Sequence, residues 1–291
     1  MLDSAILLPA ILNGLTIGAI YALIALGLTL IYGVLHIINF AHGSLLMLAL
    51  YGAFFLKTLA GIDPYLALPI LVPAFFALGY ALHRGVIEPA SHGREHNVLM
   101  VTLGLAIIID NLALYFWTST TRTVDLPYSF AVVDLGVALI PVPRVVAFAG
   151  ALALAALLAL FMTTTDLGKA IRAVAKEREG ARLAGIRVAQ VYAVSFGIGT
   201  ACVAAAACLL LPTFYVTPQV GYAFVLVAFT TVVLGGMGSF VGALVGGLAL
   251  GVVEALSGLL LGESLGQIGI FVIFILVLLL RPTGLFGSRL A

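Results

Sequence analysis

The sequence predicts an all-α protein, a polytopic transmembrane helical bundle with broken helices and about 8–10 membrane segments. Hydrophobic residues make up 63% of its 291 residues and charged residues only 9%, and the mean hydropathy is +1.26. Apolar runs approach the ~20 residues that a helix needs to cross a bilayer. Runs such as Ile270–Leu280 do not alternate apolar and polar residues, which excludes a β-barrel. We therefore expect one transmembrane domain over residues 1–291.

Membrane segments are predicted at nine places, at residues 8–32, 44–57, 64–82, 98–117, 144–163, 189–211, 222–236, 240–257 and 266–280. No Lys or Arg precedes the first segment. A cleaved signal peptide begins with a basic region, so we expect this first helix to be retained.

Two stretches predict breaks in the helices. Residues 44–57 are short for a membrane crossing, and residues 33–44 before them contain two His and one Asn. Residues 234–251 are dense in Gly. Irregular backbone at membrane depth is tolerated only beside protein or water, and broken segments in both halves of a chain often mark a transport pathway. We found no repeat between the two halves.

Basic residues predict the orientation of the chain. Ten of the thirteen Lys and Arg residues fall in the 83–97 connection, the 164–188 connection and the C-terminus, whereas the opposite connections hold only Lys57, Arg122 and Arg144. Cytoplasmic loops carry the excess of Lys and Arg, so the three basic regions are predicted to be cytoplasmic and the N-terminus to lie outside. The longest outer connection, 118–143, is predicted to be an exposed loop with short strands or an interfacial helix.

The 164–188 connection holds six of the cations, between Lys169 and Arg187. We expect Asp166 to cap a helix with an apolar face around Ile171, Gly180 to interrupt the run and Gly185 to end it. The predicted result is two short helices on the membrane surface. Two functions remain open on the pattern alone: a solvated loop that contacts anionic lipid, or a docking element for a soluble protein.

Glu179, Ala181 and Gly185 have the spacing E-x-A-x-x-x-G. This spacing resembles the core of the cytoplasmic loop by which permeases of ABC transporters contact their ATPase subunits. Residues 27–44, 233–248 and 280–288 resemble, in order and spacing, the branched-chain amino acid permease family, and the match spans nearly the whole chain. Within that family the chain is more similar to the shorter of its two permease types.

The resemblance implies a subunit of an ATP-driven importer that takes branched-chain amino acids, or a related small polar solute, from a periplasmic binding protein. It implies a bacterial inner-membrane location, a second permease in a heterodimer, two cytoplasmic ATPase subunits and no nucleic-acid partner. The sequence lacks the phosphate loop G-x-x-x-x-G-K-[ST], so ATP and Mg²⁺ are expected on the ATPases. The expected ATPase-coupling residues, within a cytoplasmic coupling loop over 164–188, are Arg172, Lys176, Glu179, Ala181 and Gly185.

Five polar residues in apolar surroundings are candidates for the translocation pathway: Asn39, His42, Asp110, Asn111 and Glu254. Intramembrane carboxylates are costly and by default indicate function. The alternatives are structural: Asn39 and His42 satisfying carbonyls freed by the break, Asp110 accepting hydrogen bonds from neighbouring helices, and Glu254 reaching the outer interface. Cys202 and Cys208 are read as packing residues, and no ligand spacing predicts a metal site. No catalytic residues are expected.

A second function class remains open from the residues. In a secondary transporter driven by a proton gradient, Asp110 or Glu254 would carry the proton.

Overall fold

The structure, a computed structural model, describes residues 4–91, 95–134, 136, 138–262, 265–281 and 283–287. In the described residues the regular secondary structure is helical apart from one small hairpin and an isolated bridge between Arg122 and Val216. Its α-helices are α1 (Ser4–Leu35), α2 (His42–Ala60), α3 (Leu68–Leu82), α4 (Glu88–Ser91), α5 (Glu95–Trp117), α6 (Val142–Thr164), α7 (Asp166–Lys176), α8 (Arg178–Leu183), α9 (Val188–Leu210), α10 (Val220–Gly235), α11 (Phe240–Leu261) and α12 (Gly266–Leu280).

Each of the nine predicted segments coincides with a helix, so the predicted all-α polytopic fold is confirmed. Seven helical segments among the described residues are long and apolar enough to cross a membrane, and α10 and α12 are shorter apolar helices of 16 and 15 residues. The predicted short segment 44–57 is a 19-residue helix, α2, because the helix begins at His42 and continues to Ala60, where Gly61 ends it with φ +70°.

Helix α1 lies at the centre of the bundle and packs against α6, α9, α10 and α11. Its closest neighbour is α11, which runs antiparallel to it. A Cβ added at Gly14 or Gly18 of α1 would lie 2.7–2.8 Å from the carbonyl oxygens of Gly251 or Gly247. Small residues at these positions let two helix backbones approach closely, as in packed membrane helices. Gly247 and Gly251 of α11 therefore serve packing within the chain.

The two helix breaks were only partly predicted. The first is present as expected: α1 ends at Leu35, and the chain returns through residues 36–41 before α2 begins. His36 takes φ +57° in this break. The second prediction was too wide, because α11 is helical through most of the Gly-rich stretch. That break is a short turn at residues 236–239, in which Gly236 and Gly238 have φ of +97° and +85°.

The third transmembrane helix continues beyond its predicted end. A π-helical turn over His83–Ile87 follows α3 directly and leads into α4. π-Helical turns are rare and occur frequently at functional sites. Periodicity gives no signal for one extra residue in a single helical turn, so the sequence did not predict it.

The connections gather at two ends of the bundle. At one end the 83–91 and 174–190 segments lie together beside the end of α1, and the Leu285 amide donates to the Leu234 carbonyl oxygen at the end of α10 (2.8 Å). At the other end, strand β1 (Val132–Asp134) pairs antiparallel with β2 (Leu139–Pro141), which confirms short strands in the long connection. The basic connections thus share one end, as the charge distribution predicted.

Candidate coupling loop and translocation pathway

The 164–188 connection begins with a capped amphipathic helix. The Thr165 hydroxyl accepts a hydrogen bond from the Gly168 amide (3.0 Å) and caps α7. The prediction of Asp166 as the cap was wrong by one residue, because Asp166 already lies in the first helical turn. There its carboxylate pairs with Lys169 at 2.9 Å, and this hydrogen bond lowers the pKa of Asp166.

Helix α7 buries one face against the membrane helices. Ile171 and Val174 are buried where α7 packs on α1, α6 and α9. Gly168 is pressed against the end of α6, where an added Cβ would lie 2.6 Å from the Met162 carbonyl oxygen. The predicted coupling residues Arg172 and Lys176 are exposed. Since α7 contacts three long helices, a displacement of α7 would be transmitted to them.

The interruption of the loop falls at Glu177 and not at Gly180, which lies inside α8. Glu177 has an extended backbone, with φ −155° and ψ 103°, and this residue separates α7 from α8. The extended residue allows α8 to take a new direction. The Arg178 guanidinium then lies 5.6 Å from the centre of the Tyr192 ring on α9.

Gly185 ends α8 in the predicted way. The Ile186 amide donates to the Ala181 carbonyl oxygen and the Gly185 amide to that of Arg182, both at 3.0 Å, which is a Schellman motif. Gly185 has φ +84°, which favours glycine, and no atom lies within 4 Å of an added Cβ. The three matched residues thus occupy different places: Glu179 is exposed, Ala181 is buried, and Gly185 forms the turn.

Asn39 and His42 build the first break. The Asn39 side-chain oxygen accepts a hydrogen bond from the Ala41 amide (3.1 Å), and His42 Nε2 donates to the Ile24 carbonyl oxygen on α1 (3.0 Å). Both side chains are buried, and Asn39 Nδ2 and His42 Nδ1 have no partner among the described residues. One polar atom of each side chain, Asn39 Oδ1 and His42 Nε2, therefore anchors the break.

Helices α2 and α10 begin at the same point. Gly43 in the first turn of α2 and Gly221 in the first turn of α10 pack backbone to backbone, and neither position has room for a Cβ. Because α2 leads to one end of the bundle and α10 to the other, two helix N-termini meet inside it. We call this contact the α2–α10 junction. No pattern in the sequence predicts this junction, since single Gly residues are common in the chain.

The two candidate carboxylates have tyrosine partners. The Tyr21 hydroxyl of α1 donates to Glu254 on α11 (2.7 Å). Asp110 on α5 is buried, and its carboxylate interacts with the hydroxyl of Tyr222, the residue after Gly221. Tyr21 also contacts the ring of Phe224, one turn further along α10 (6.1 Å between ring centroids).

Four of the five pathway candidates are therefore connected to the first turns of α10. Asn39 and His42 reach it through the α2–α10 junction, Asp110 through Tyr222, and Glu254 more indirectly through Tyr21. The fifth, Asn111, is exposed on α5 and donates to the Ile107 carbonyl oxygen of its own helix (2.7 Å).

Comparison with known proteins gives the family. Residues 10–280 match the family described as the branched-chain amino acid transport system permease component. The chain belongs to this family. It is 34% identical to the high-affinity branched-chain amino acid transport system permease protein BraD of Pseudomonas aeruginosa, over 96% of this chain and 95% of the relative. It is 36% identical to the corresponding protein LivH of Escherichia coli, with the same coverage.

A probable branched-chain amino acid transport permease protein of Methanocaldococcus jannaschii is 27% identical over 91% of this chain and 88% of the relative. No solved structure gives a significant match. Membership of the permease family confirms the resemblance on which the sequence analysis relied, and together with the apolar helices it makes the chain a multi-pass membrane permease.

Proposed function

We propose that this chain is a membrane-spanning subunit of an ATP-driven importer in the bacterial inner membrane. It would receive branched-chain amino acids, or a related small polar solute, from a periplasmic binding protein and pass them to the cytoplasm. A second permease would complete the pathway, and two ATPase subunits would bind ATP and Mg²⁺ on the cytoplasmic side. The names of the relatives, which describe permeases of high-affinity branched-chain amino acid transport systems, support the substrate class.

The observation that carries the proposal is the helix pair α7–α8. It exposes Glu179 at its surface while the buried face of α7 rests on α1, α6 and α9. An ATPase that contacts the exposed surface can move α7 as a lever. Of the helices under α7, α1 packs directly on α10 and α9 packs on α2, so the movement would reach the α2–α10 junction.

Two conformations are required for transport, with the pathway open to one side in each. ATP binding and the loaded binding protein would favour different conformations, and the chain would couple the two sites through the same two-state element. The buried residues at the α2–α10 junction are the proposed pathway lining: Asn39, His42 and Asp110, with Glu254 nearby. The Asn111 side chain is exposed on this chain. We therefore propose it as a pathway residue only if the second permease packs there and completes the wall of the pathway.

A buried carboxylate whose Oδ1 has no hydrogen-bond partner among the described residues, that of Asp110, favours the second candidate, a proton-coupled transporter. Uptake of radiolabelled leucine into proteoliposomes separates the two. The importer proposal predicts uptake only when the second permease, ATPases, binding protein and ATP are all present, with no response to a proton gradient. Uptake by this chain alone, driven by a proton gradient, would overturn it.

A further inference from the structure

A cavity of about 960 Å³ lies behind the coupling loop, between α7–α8 and the ends of the membrane helices. The end of α1, the π-helical turn after α3 and the start of α9 form its other walls. This volume is at the upper end of the range of small-molecule sites, ~300–1,000 Å³. Among the described residues, the lining includes none of those at the α2–α10 junction, such as Gly43, Gly221 and Tyr222.

The cavity is strongly basic. Of the described residues that line it, five are cationic and two, Glu88 and Glu177, are acidic; the cations are Arg84, Lys176, Arg178, Arg182 and Arg187. Arg84 pairs with Glu88 at 3.1 Å. Within the described part of the chain, Arg182 and Arg187 have no ion pair. A zwitterionic amino acid would leave this excess of positive charge uncompensated, whereas an anion would balance it.

Two further features of the wall suit an anion. The first turn of α9 lines the cavity, and no described side chain caps this 23-residue helix or places an acidic group in its first turn. An uncapped helix N-terminus presents backbone N–H groups and a partial positive charge to an anion. His83 in the π-helical turn also lines the cavity; it is only 3% exposed, and its Nδ1 has no partner among the described residues.

We propose that this cavity binds a phosphate-bearing anion. Guanidinium groups bind phosphate in a bidentate manner, and four of the five cations are Arg. The phosphate could belong to the headgroup of an anionic phospholipid, since basic pockets between membrane helices on the cytoplasmic side bind such headgroups, or to a soluble phosphate compound. Bound there, it connects α8 and the start of α9 to the end of α3 and fixes the position of the coupling loop.

Thermal unfolding of the purified full-length chain tests the proposal. The protein is measured in nanodiscs of phosphatidylcholine alone and with added phosphatidylglycerol. In a second arm, inorganic phosphate replaces chloride at constant ionic strength. The test variant is Arg182→Gln with Arg187→Gln. The control is Lys169→Gln, which removes a cation of the same loop that pairs with Asp166 and does not line the cavity.

We expect an anionic phosphate group to raise the Tm of the natural chain by several degrees and the Lys169→Gln control to keep this rise. The double variant should lose it, with an affinity weaker by roughly tenfold or more. If phosphatidylglycerol raises the Tm and inorganic phosphate does not, the ligand is the phospholipid headgroup. If inorganic phosphate raises the Tm as well, the ligand is a soluble phosphate compound.

The proposal is overturned if neither phosphatidylglycerol nor inorganic phosphate raises the Tm, or if the double variant responds as the natural chain does. A rise in Tm with leucine that the double variant loses would also overturn it, because leucine carries no phosphate. Both substituted side chains are exposed, so the double variant is expected to fold. If the double variant does not fold, the single variants Arg182→Gln and Arg187→Gln provide the same comparison. Each is expected to lose part of the rise in Tm.

Discussion

Gly43 at the start of α2 and Gly221 at the start of α10 pack so closely that each lacks room for a Cβ beside the carbonyl oxygen of the other. The contact joins the N-termini of two helices that lead to opposite ends of the bundle. A conformational change that opens one end and closes the other must either alter this contact or keep it intact while other helices move around it. The junction is therefore a tight packing point of the proposed pathway.

Substituting Ala for Gly43 or for Gly221 is expected to abolish uptake and lower the Tm of the purified chain. Overpacking of a tight contact costs about 1–3 kcal/mol, and here the obstacle is backbone that cannot rotate away. The matched control is Gly104→Ala in α5, where no atom lies within 4 Å of an added Cβ. That variant should transport normally. Normal transport by Gly43→Ala as well would contradict this prediction, because it would show that α2 and α10 can move apart at the junction without loss of transport.

The Tyr21–Glu254 hydrogen bond is expected to stabilise the packing of α1 on α11. Tyr21→Phe removes the donor and leaves a partly buried carboxylate without it, which should reduce the free energy of unfolding by about 1–3 kcal/mol. Denaturation of the purified chain measures this loss. Tyr32→Phe on the same helix is the control, since the Tyr32 hydroxyl makes none of the side-chain hydrogen bonds described. Equal stability of the two variants would mean that the hydrogen bond contributes nothing.

Arg122 organises an aromatic cluster at the end of the bundle that carries the β1–β2 hairpin. Its guanidinium lies 5.6–5.9 Å from the ring centres of Tyr51, Phe54 and Phe55 and donates to the Trp117 carbonyl oxygen (3.1 Å). The Trp117 ring stacks on Tyr51, with 4.1 Å between ring centroids. Such cation–π contacts stabilise by about 0.5–2 kcal/mol each.

Trp117 is the single tryptophan of the chain, so its fluorescence reports on the cluster directly. Arg122→Gln is expected to shift the emission maximum to longer wavelength as water reaches the indole ring. Arg144→Gln, which removes a cation at the same end that donates to Asn13 instead, should leave the spectrum unchanged. A spectrum of Arg122→Gln identical to that of the natural chain would contradict the predicted role.

The sequence predicted elements well wherever hydrophobicity decides them. Each of the nine apolar segments became a helix, and Gly185 ended α8 as its residue type indicated, because only glycine takes φ +84° without cost. The cap of α7 was misassigned because Thr165 and Asp166 are adjacent and both are good capping residues.

Contacts between distant segments were not predictable in this way. Arg122 counted only as an outer cation in the sequence, although the structure places it over three aromatic rings. Tyr222 and Gly221 carried no signal because their partners, Asp110 and Gly43, are more than a hundred residues away. Pairing at such separation depends on how the helices pack, which periodicity along one segment does not encode.

The coupling role of α7–α8 is the central claim, and Gly185→Ala is its sharpest variant. An alanine at φ +84° costs roughly 1–2 kcal/mol in backbone strain, yet its Cβ would touch nothing within 4 Å. Within this chain, any effect therefore comes from the shape of the loop. Gly180→Ala inside α8 is the control, because its Cβ would meet only the flexible Glu177 side chain, at 3.2 Å. Glu179→Gln tests the exposed carboxylate separately.

The decisive measurement is the number of leucine molecules taken up per ATP hydrolysed by the reconstituted complex of permeases, ATPases and binding protein. Gly185→Ala and Glu179→Gln are expected to lower this ratio severalfold while ATP hydrolysis continues, and Gly180→Ala should match the natural chain. If Gly185→Ala and Glu179→Gln are assembled in the complex and retain the natural ratio, α7–α8 does not transmit the work of the ATPases.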